Sequence, residues 1–317
     1  GEGLQWAYEA GVSHARSHCD WWEPDSVPVA WEVLRELAQE WAGRVLLERV
    51  SLIPLHLYEE RGMAMRLAKQ VALSGAGALL GGFVHSTNWS PQALRNLLEA
   101  AQQHGLDVDL HVDEELNPAA QGLATTAALL KELRFEARVV CGHTCALAAQ
   151  PLEQALRSLD AVASTPITMV SLPVTNLLLQ DAQTGVTPRQ RGLTLLKEAR
   201  ARGIPLMISS DNVQDPFCPL GSFDPLEALT TGVAAAQLTS AFDEWSDSVC
   251  RRDWLGHGVG RLPLQPGATA DLVILPQSSV SGFPSRSQRR VVMREGRVSN
   301  GEPLAAWFSP CIERSVA

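Results

Sequence analysis

Short apolar runs alternate with helix-patterned stretches along most of the 317 residues, and this alternation limits the fold more than any other feature of the chain. The runs lie near residues 12–18, 45–53, 78–84, 108–112, 137–141, 167–172 and 205–210. Between and after them, apolar residues recur at helical spacing over 27–41, 57–72, 91–103, 117–133, 151–159, 188–202 and 225–238. Punctuation agrees: Ser90-Pro91 reads as a cap followed by a first-turn proline, and Gly105 and Gly203 as helix ends. Strands that alternate with helices pair in parallel through helical crossovers, so this is an α/β protein. Seven such units are one short of a (β/α)8 TIM barrel. In a barrel the C-terminal ends of the strands share one mouth, where active sites form. His18, His111, His143 and Asp211 stand at such ends.

Beyond residue 257 the pattern changes. Residues 267–275 read as a turn and a strand, and 290–298 as a hairpin turning at Glu295-Gly296. Two or three strands are marginal alone, so these need a sheet partner. The expected organisation is a barrel over 1–257 and part of a small β-sandwich with a tail over 258–317.

A net charge of -9 argues against nucleic acid as a partner, because that requires a basic face. The six cysteines, Cys19, Cys141, Cys145, Cys218, Cys250 and Cys311, show no CxxC spacing and suit a reducing compartment. The chain shows no basic-then-apolar leader and no apolar run of about 18 residues. A cytoplasmic enzyme is therefore expected, with no membrane partner.

The chemistry centres on Leu110-His111-Val112-Asp113-Glu114. Period-2 alternation puts Asp109, His111 and Asp113 on one strand face, with Glu114 just past the end. A histidine with a carboxylate three residues on can supply one metal ligand and one proton carrier. A solvated loop histidine is the plainer alternative. Other polar residues have plain readings too. Asp113 reads as solvated, and Asp215-Pro216 as a turn former. His14, Arg16 and His18 read as one strand face lining the core or rim. His56 and His85, near strand ends, read equally as substrate contacts or surface groups. Trp21, Trp22, Trp31, Trp41 and Trp89 read as packing anchors.

In combination and order, five motifs resemble the amidohydrolase superfamily, cytosine deaminase-like branch: His111-Val112-Asp113-Glu114, Gly142-His143-Thr144, the stretch from Leu172 to Gln180, the stretch from Thr187 to Gly192, and Ser210-Asp211-Asn212-Val213-Gln214-Asp215-Pro216. Ala270-Asp271-Leu272-Val273-Ile274-Leu275 resembles the sandwich that flanks such barrels. The resemblance spans about residues 1–300. It implies one divalent metal ion, zinc or iron(II), with His111 and Asp211 as ligands. Glu114 would shuttle a proton from metal-bound water to a ring nitrogen. His143 would polarise the substrate or steady the attacking hydroxide, and Asp211 would also take a proton from the water. The implied reaction deaminates a small amino-substituted N-heterocycle.

Two features depart from that family. No His-x-His pair occurs in the chain, although such a pair ends the first barrel strand of the superfamily. The missing eighth strand and the unpartnered sandwich strands agree with that shortage, so the expectation is a barrel lacking its first strand, with poor metal affinity. The second departure concerns substrate. Leu55 stands where cytosine deaminases place a glutamine, and Asn212 where they place an aspartate. A polar ring edge left facing Leu55 would cost about 1–3 kcal/mol. Another aminopyrimidine, an aminotriazine or a cyclic amidine is therefore expected, with Phe217 stacking on the ring. Two alternatives remain: opening of a cyclic amide on the same fold, and an inactive barrel fragment that acts only by association, as a homo-oligomer joined through its uncovered edge.

Overall fold

Seven parallel strands in sequence order form one curled sheet: β1 (His14–Asp20), β2 (Leu46–Leu52), β3 (Ala78–Val84), β4 (Val108–Val112), β5 (Val139–His143), β6 (Ile167–Ser171) and β7 (Leu206–Ile208). The architecture is a (β/α)8 barrel of the amidohydrolase type that lacks one strand, with β1 and β7 at its edges. The computed structural model describes residues 1–238, 241–258, 260, 265–275, 283 and 290–301. Cys311 lies outside them, as does the end of the expected sandwich-and-tail segment over 258–317.

Each strand sorts its side chains by parity. On β4, Val108, Leu110 and Val112 are fully buried in the apolar layer beneath the helices, joined there by Leu94, Leu97 and Leu98 of the helix Pro91–His104. Asp109 and His111 take the opposite, concave face. Such a strand cannot slip by one residue without exchanging its apolar and ionisable sets. Trp21 and Trp31, both wholly buried, meet edge to face at 5.5 Å and anchor the first helical layer. Trp41 is buried as well, whereas Trp22 is exposed.

Several boundaries differ from the sequence expectation, each for a local reason. The first strand starts at His14 because an unforeseen helix, Glu2–Ala10, ends at Gly11 with φ 102° and Val12 N–H returns to the Ala7 carbonyl. The helix expected over 117–133 runs only from Gly122 to Glu132. Asn117 closes a mere turn onto Ala119, and the Asp113 carboxylate sets the helix start further on. The helix expected over 188–202 shortens to Leu196–Ala201, because the Asp181 carboxylate draws the N–H groups of Arg189 and Gln190 into an irregular loop. Pro173, just past β6, occupies the first turn of an unforeseen helix, Pro173–Leu179.

A second sheet holds β8 (Leu272–Ile274), β9 (Val291–Arg294) and β10 (Arg297–Gly301), antiparallel, with the expected turn at Glu295-Gly296. It docks on the end of the first helix, where Arg294 Nη2 donates to the Gly11 carbonyl at 2.6 Å. Below the barrel, the turn Arg252–Leu255 lies against the strands: Thr168 Oγ1 donates to the Trp254 carbonyl (2.9 Å) and Arg16 Nη2 to the Leu255 carbonyl (3.1 Å). A cavity of about 760 Å³ opens at the N-terminal ends of β1 and β2, lined in part by Arg49, Arg252 and Arg294. It is separate from the polar mouth described next.

Candidate active site

His111 faces the concave side near the end of β4, and its ring is framed by other rings rather than by hydrogen bonds. Ring centroids lie at 4.6 Å for His18, 4.6 Å for His143 and 6.4 Å for Phe83. Its register partner on β5 is Gly142, whose missing side chain leaves space beside the imidazole. Burial first, then the neighbouring His18 and His143, push its pKa well down, so the ring is neutral and its lone pair available.

The residues after β4 break the strand period. Asp113 has a left-handed φ of 51°. Its carboxylate turns away from the mouth and accepts the N–H groups of Gly122 (3.0 Å) and Leu123 (2.9 Å). The expectation of a solvated Asp113 is thus corrected: it is 5% exposed and caps a buried helix. Burial raises its pKa to about 6 even so. The bend frees Glu114 to turn into the mouth. A second bend does the same for His143. By parity, Gly142 faces the mouth and His143 should face the helices. A φ of 66° swings the ring back toward His111. Asp211 follows β7 with φ 65°. Non-glycine residues rarely adopt this conformation, and its cost is met where surrounding contacts hold the chain.

Glu114 Oε1 lies 3.2 Å from His143 Nδ1 and 3.5 Å from Asn176 Nδ2. Asn176 Nδ2 also lies 3.1 Å from His143 Nδ1. Burial and the charge of Asp211 lift the Glu114 pKa to about 8, so the acid is protonated near neutral pH. Burial raises Asp211 to about 6, and His18 works against that rise. Burial takes His143 down to about 3.

Two clusters have a composition that suits a cation. Donor atoms of His111, Glu114 and His143 lie within 4.8 Å of one another, as do those of His14, Glu48 and His257. The second is already satisfied. Glu48 accepts from His14 Nε2 (2.7 Å), Arg16 Nε (2.6 Å) and His257 Nε2 (2.8 Å), and a guanidinium on the carboxylate repels a second cation. The first is not satisfied. Among the described residues the His111 ring makes no hydrogen bond, and beside this cluster Asp211 Oδ2 is buried without a partner. A neutral imidazole and a carboxylate left open in this way fit a divalent ion.

The remaining candidate residues lie elsewhere. Leu55 is wholly buried in the apolar core, in the short turn Leu55–Tyr58, and offers no surface to a ligand. Asn212 spends its amide on Asp215 (2.6 Å), and Asp215 accepts the N–H groups of Phe217 and Cys218, as a turn former does. Phe217 is exposed on that loop. His85 stacks on Phe83 and approaches Glu115, while His56 is exposed. Three neighbours of the site had no catalytic reading in the sequence: His18, Asp109 and Asn176. The signal for the first two was present, as His14, Arg16 and His18 repeat at period 2 and so does the acid below His111.

Residues 3–299 match the amidohydrolase family. The chain belongs to that family. It is 36% identical over 299 residues to a pterin deaminase of Rhizobium rhizogenes, covering 93% of this chain and 67% of the relative. Among solved structures, the 5-methylcytosine deaminase of Klebsiella pneumoniae, liganded with 5-fluorocytosine, superposes with a TM-score of 0.76 at 24% identity, covering 95% of this chain and 74% of that one. The N-isopropylammelide isopropylaminohydrolase of Burkholderia multivorans gives 0.71 at 21% identity, covering 94% and 74%. This amidohydrolase is an enzyme of C–N bond hydrolysis, and among its described residues no helix is long and apolar enough to cross a membrane.

Proposed function

We propose that this amidohydrolase is a metal-dependent deaminase that removes an exocyclic amine from a small N-heterocycle, with a pterin as the first candidate. The carrying observation is the convergence of His111, Glu114 and His143 within 4.8 Å at one strand-end mouth, with Asp211 near enough for its charge to act on Glu114. The identity to a pterin deaminase supports the choice of substrate class.

His111 and Asp211 would hold the ion, which when bound acidifies a water molecule and supplies the nucleophile. Asp211 accepts a proton at Oδ2, the oxygen left without a partner. Glu114 carries a proton at its carboxyl and delivers it to the ring nitrogen beside the carbon under attack. Asn176 and the Glu114 carboxyl hold the Nδ1 edge of His143, so that the Nε2 edge is the one offered to substrate. The proton taken by Asp211 passes to the exocyclic amine, which leaves as ammonia when the C–N bond breaks, and the hydroxyl proton of the new carbonyl returns to Glu114. Ammonia release should be assayed with pterin, cytosine and an aminotriazine, for the wild-type chain and for Glu114→Gln. Release from pterin that Glu114→Gln abolishes supports the reading, and no release from any of the three, with cobalt(II) or zinc supplied, overturns it.

A further inference from the structure

We propose that His18, anchored by Asp109, is the positioning residue for His111. The inference rests on the metal reading of the site given above. His111 lacks the hydrogen-bonded partner that ordinarily fixes the ring of a metal-binding histidine. Its orientation is set by rings, and His18 packs edge-on against it at 4.6 Å with an interplanar angle of 60°. His18 in turn is tied. Its Nε2 lies 3.3 Å from Asp109 Oδ1, and Asp109 stands two residues before His111 on the same strand face. The other Asp109 oxygen accepts from Arg16 Nη1 at 3.0 Å. Arg16 is held by Glu48 on its register partner strand and by the Leu255 carbonyl below.

These groups form a column on the concave face, from the barrel floor to the mouth: Glu48, Arg16, Asp109, His18, His111. Asp109 and Glu48 are buried at 3% and 5% exposure, so neither is a solvated surface acid. Gly81 lies on the strand between them and has no room for a side chain. It is the register partner of Asp109 on β3 and shares its face, and a Cβ there would lie 2.5 Å from the Ser51 carbonyl oxygen. An ion pair between strands three places apart therefore fixes the ring that fixes the candidate ligand.

Cobalt(II) is the probe, titrated into the purified chain and its variants while the visible absorption of the bound ion is followed. His18→Ala should weaken cobalt binding about 10–100-fold and alter the band pattern, the range expected for loss of an outer-shell partner. Asp109→Asn should shift both readouts in the same direction, and it serves if His18→Ala does not fold. Thr168→Val, which breaks only the floor contact to Trp254, should lower the melting temperature and leave cobalt binding unchanged. His111→Ala should abolish binding. If His111→Ala loses cobalt while His18→Ala and Asp109→Asn keep wild-type affinity and spectrum, the positioning role is wrong and the metal reading stands. If His111→Ala binds as the wild type does, the metal reading falls and the positioning role falls with it.

Discussion

Glu114 Oε1 lies 3.2 Å from His143 Nδ1, and the acid carries its proton near neutral pH because burial and Asp211 raise its pKa to about 8. Glutamine reproduces the shape of that protonated acid but cannot release a proton. Glu114→Gln should therefore leave the melting temperature unchanged or raised, while turnover falls about 10²–10⁴-fold, the usual contribution of a general acid–base. Steady-state ammonia release alongside thermal unfolding checks this. Retained turnover would remove Glu114 from the reaction.

Asp113 is a cap for a buried helix and not part of the catalytic set. Asp113→Ala leaves the N–H groups of Gly122 and Leu123 without their acceptor. A loss of about 2 kcal/mol in urea unfolding is expected. Gly122→Ala should be costly for the same reason, since its Cβ would come within 2.4 Å of Asp113 Oδ1. Unchanged unfolding midpoints for both variants would contradict the cap.

Glu48 sets the acid limit of the fold. Burial alone would raise its pKa, but hydrogen bonds and charge from His14 and Arg16 hold it at about 2, against an ordinary value of 4.5. A depressed carboxylate contributes stability above its unfolded value and loses it as pH falls toward its folded value. The loss should amount to about 3 kcal/mol between pH 4.5 and pH 2. Unfolding free energies measured across that window should fall steeply for the wild type and more gently for Glu48→Gln. Equal slopes would show that Glu48 is not the group responsible.

Chelation gives a separate check on the cation. Dialysis against a strong chelator should abolish ammonia release without changing the far-ultraviolet circular dichroism, and added zinc or iron(II) should restore it. Release that survives with no metal detectable by elemental analysis would contradict a metal-dependent reaction.

The strand–helix alternation was legible because each strand has one apolar face whose burial drives the fold, and Val108, Leu110 and Val112 report that burial directly. His111, Glu114, His143 and Asp211 were legible as strand-end residues. What periodicity could not carry was the set of bends between them. Asp113, His143 and Asp211 adopt left-handed conformations that no alternation rule anticipates, and these decide which neighbour enters the mouth. The roles of Asp109 and His18 were hidden for another reason. The partners of Asp109, Arg16 and His18, lie 93 and 91 residues away, and only the curl of the sheet brings them together.

That curl has a mechanical meaning. Laid flat, β1 and β4 would stand three ladder spacings apart, roughly 14 Å, yet one guanidinium spans the gap between them. A breathing motion that uncurls the sheet would pull on the Arg16–Asp109 link, and with it on the seat of His111. Catalytic geometry and barrel circumference are then one variable, so strain applied at the outer strands would be felt as a change of reactivity before it was felt as unfolding.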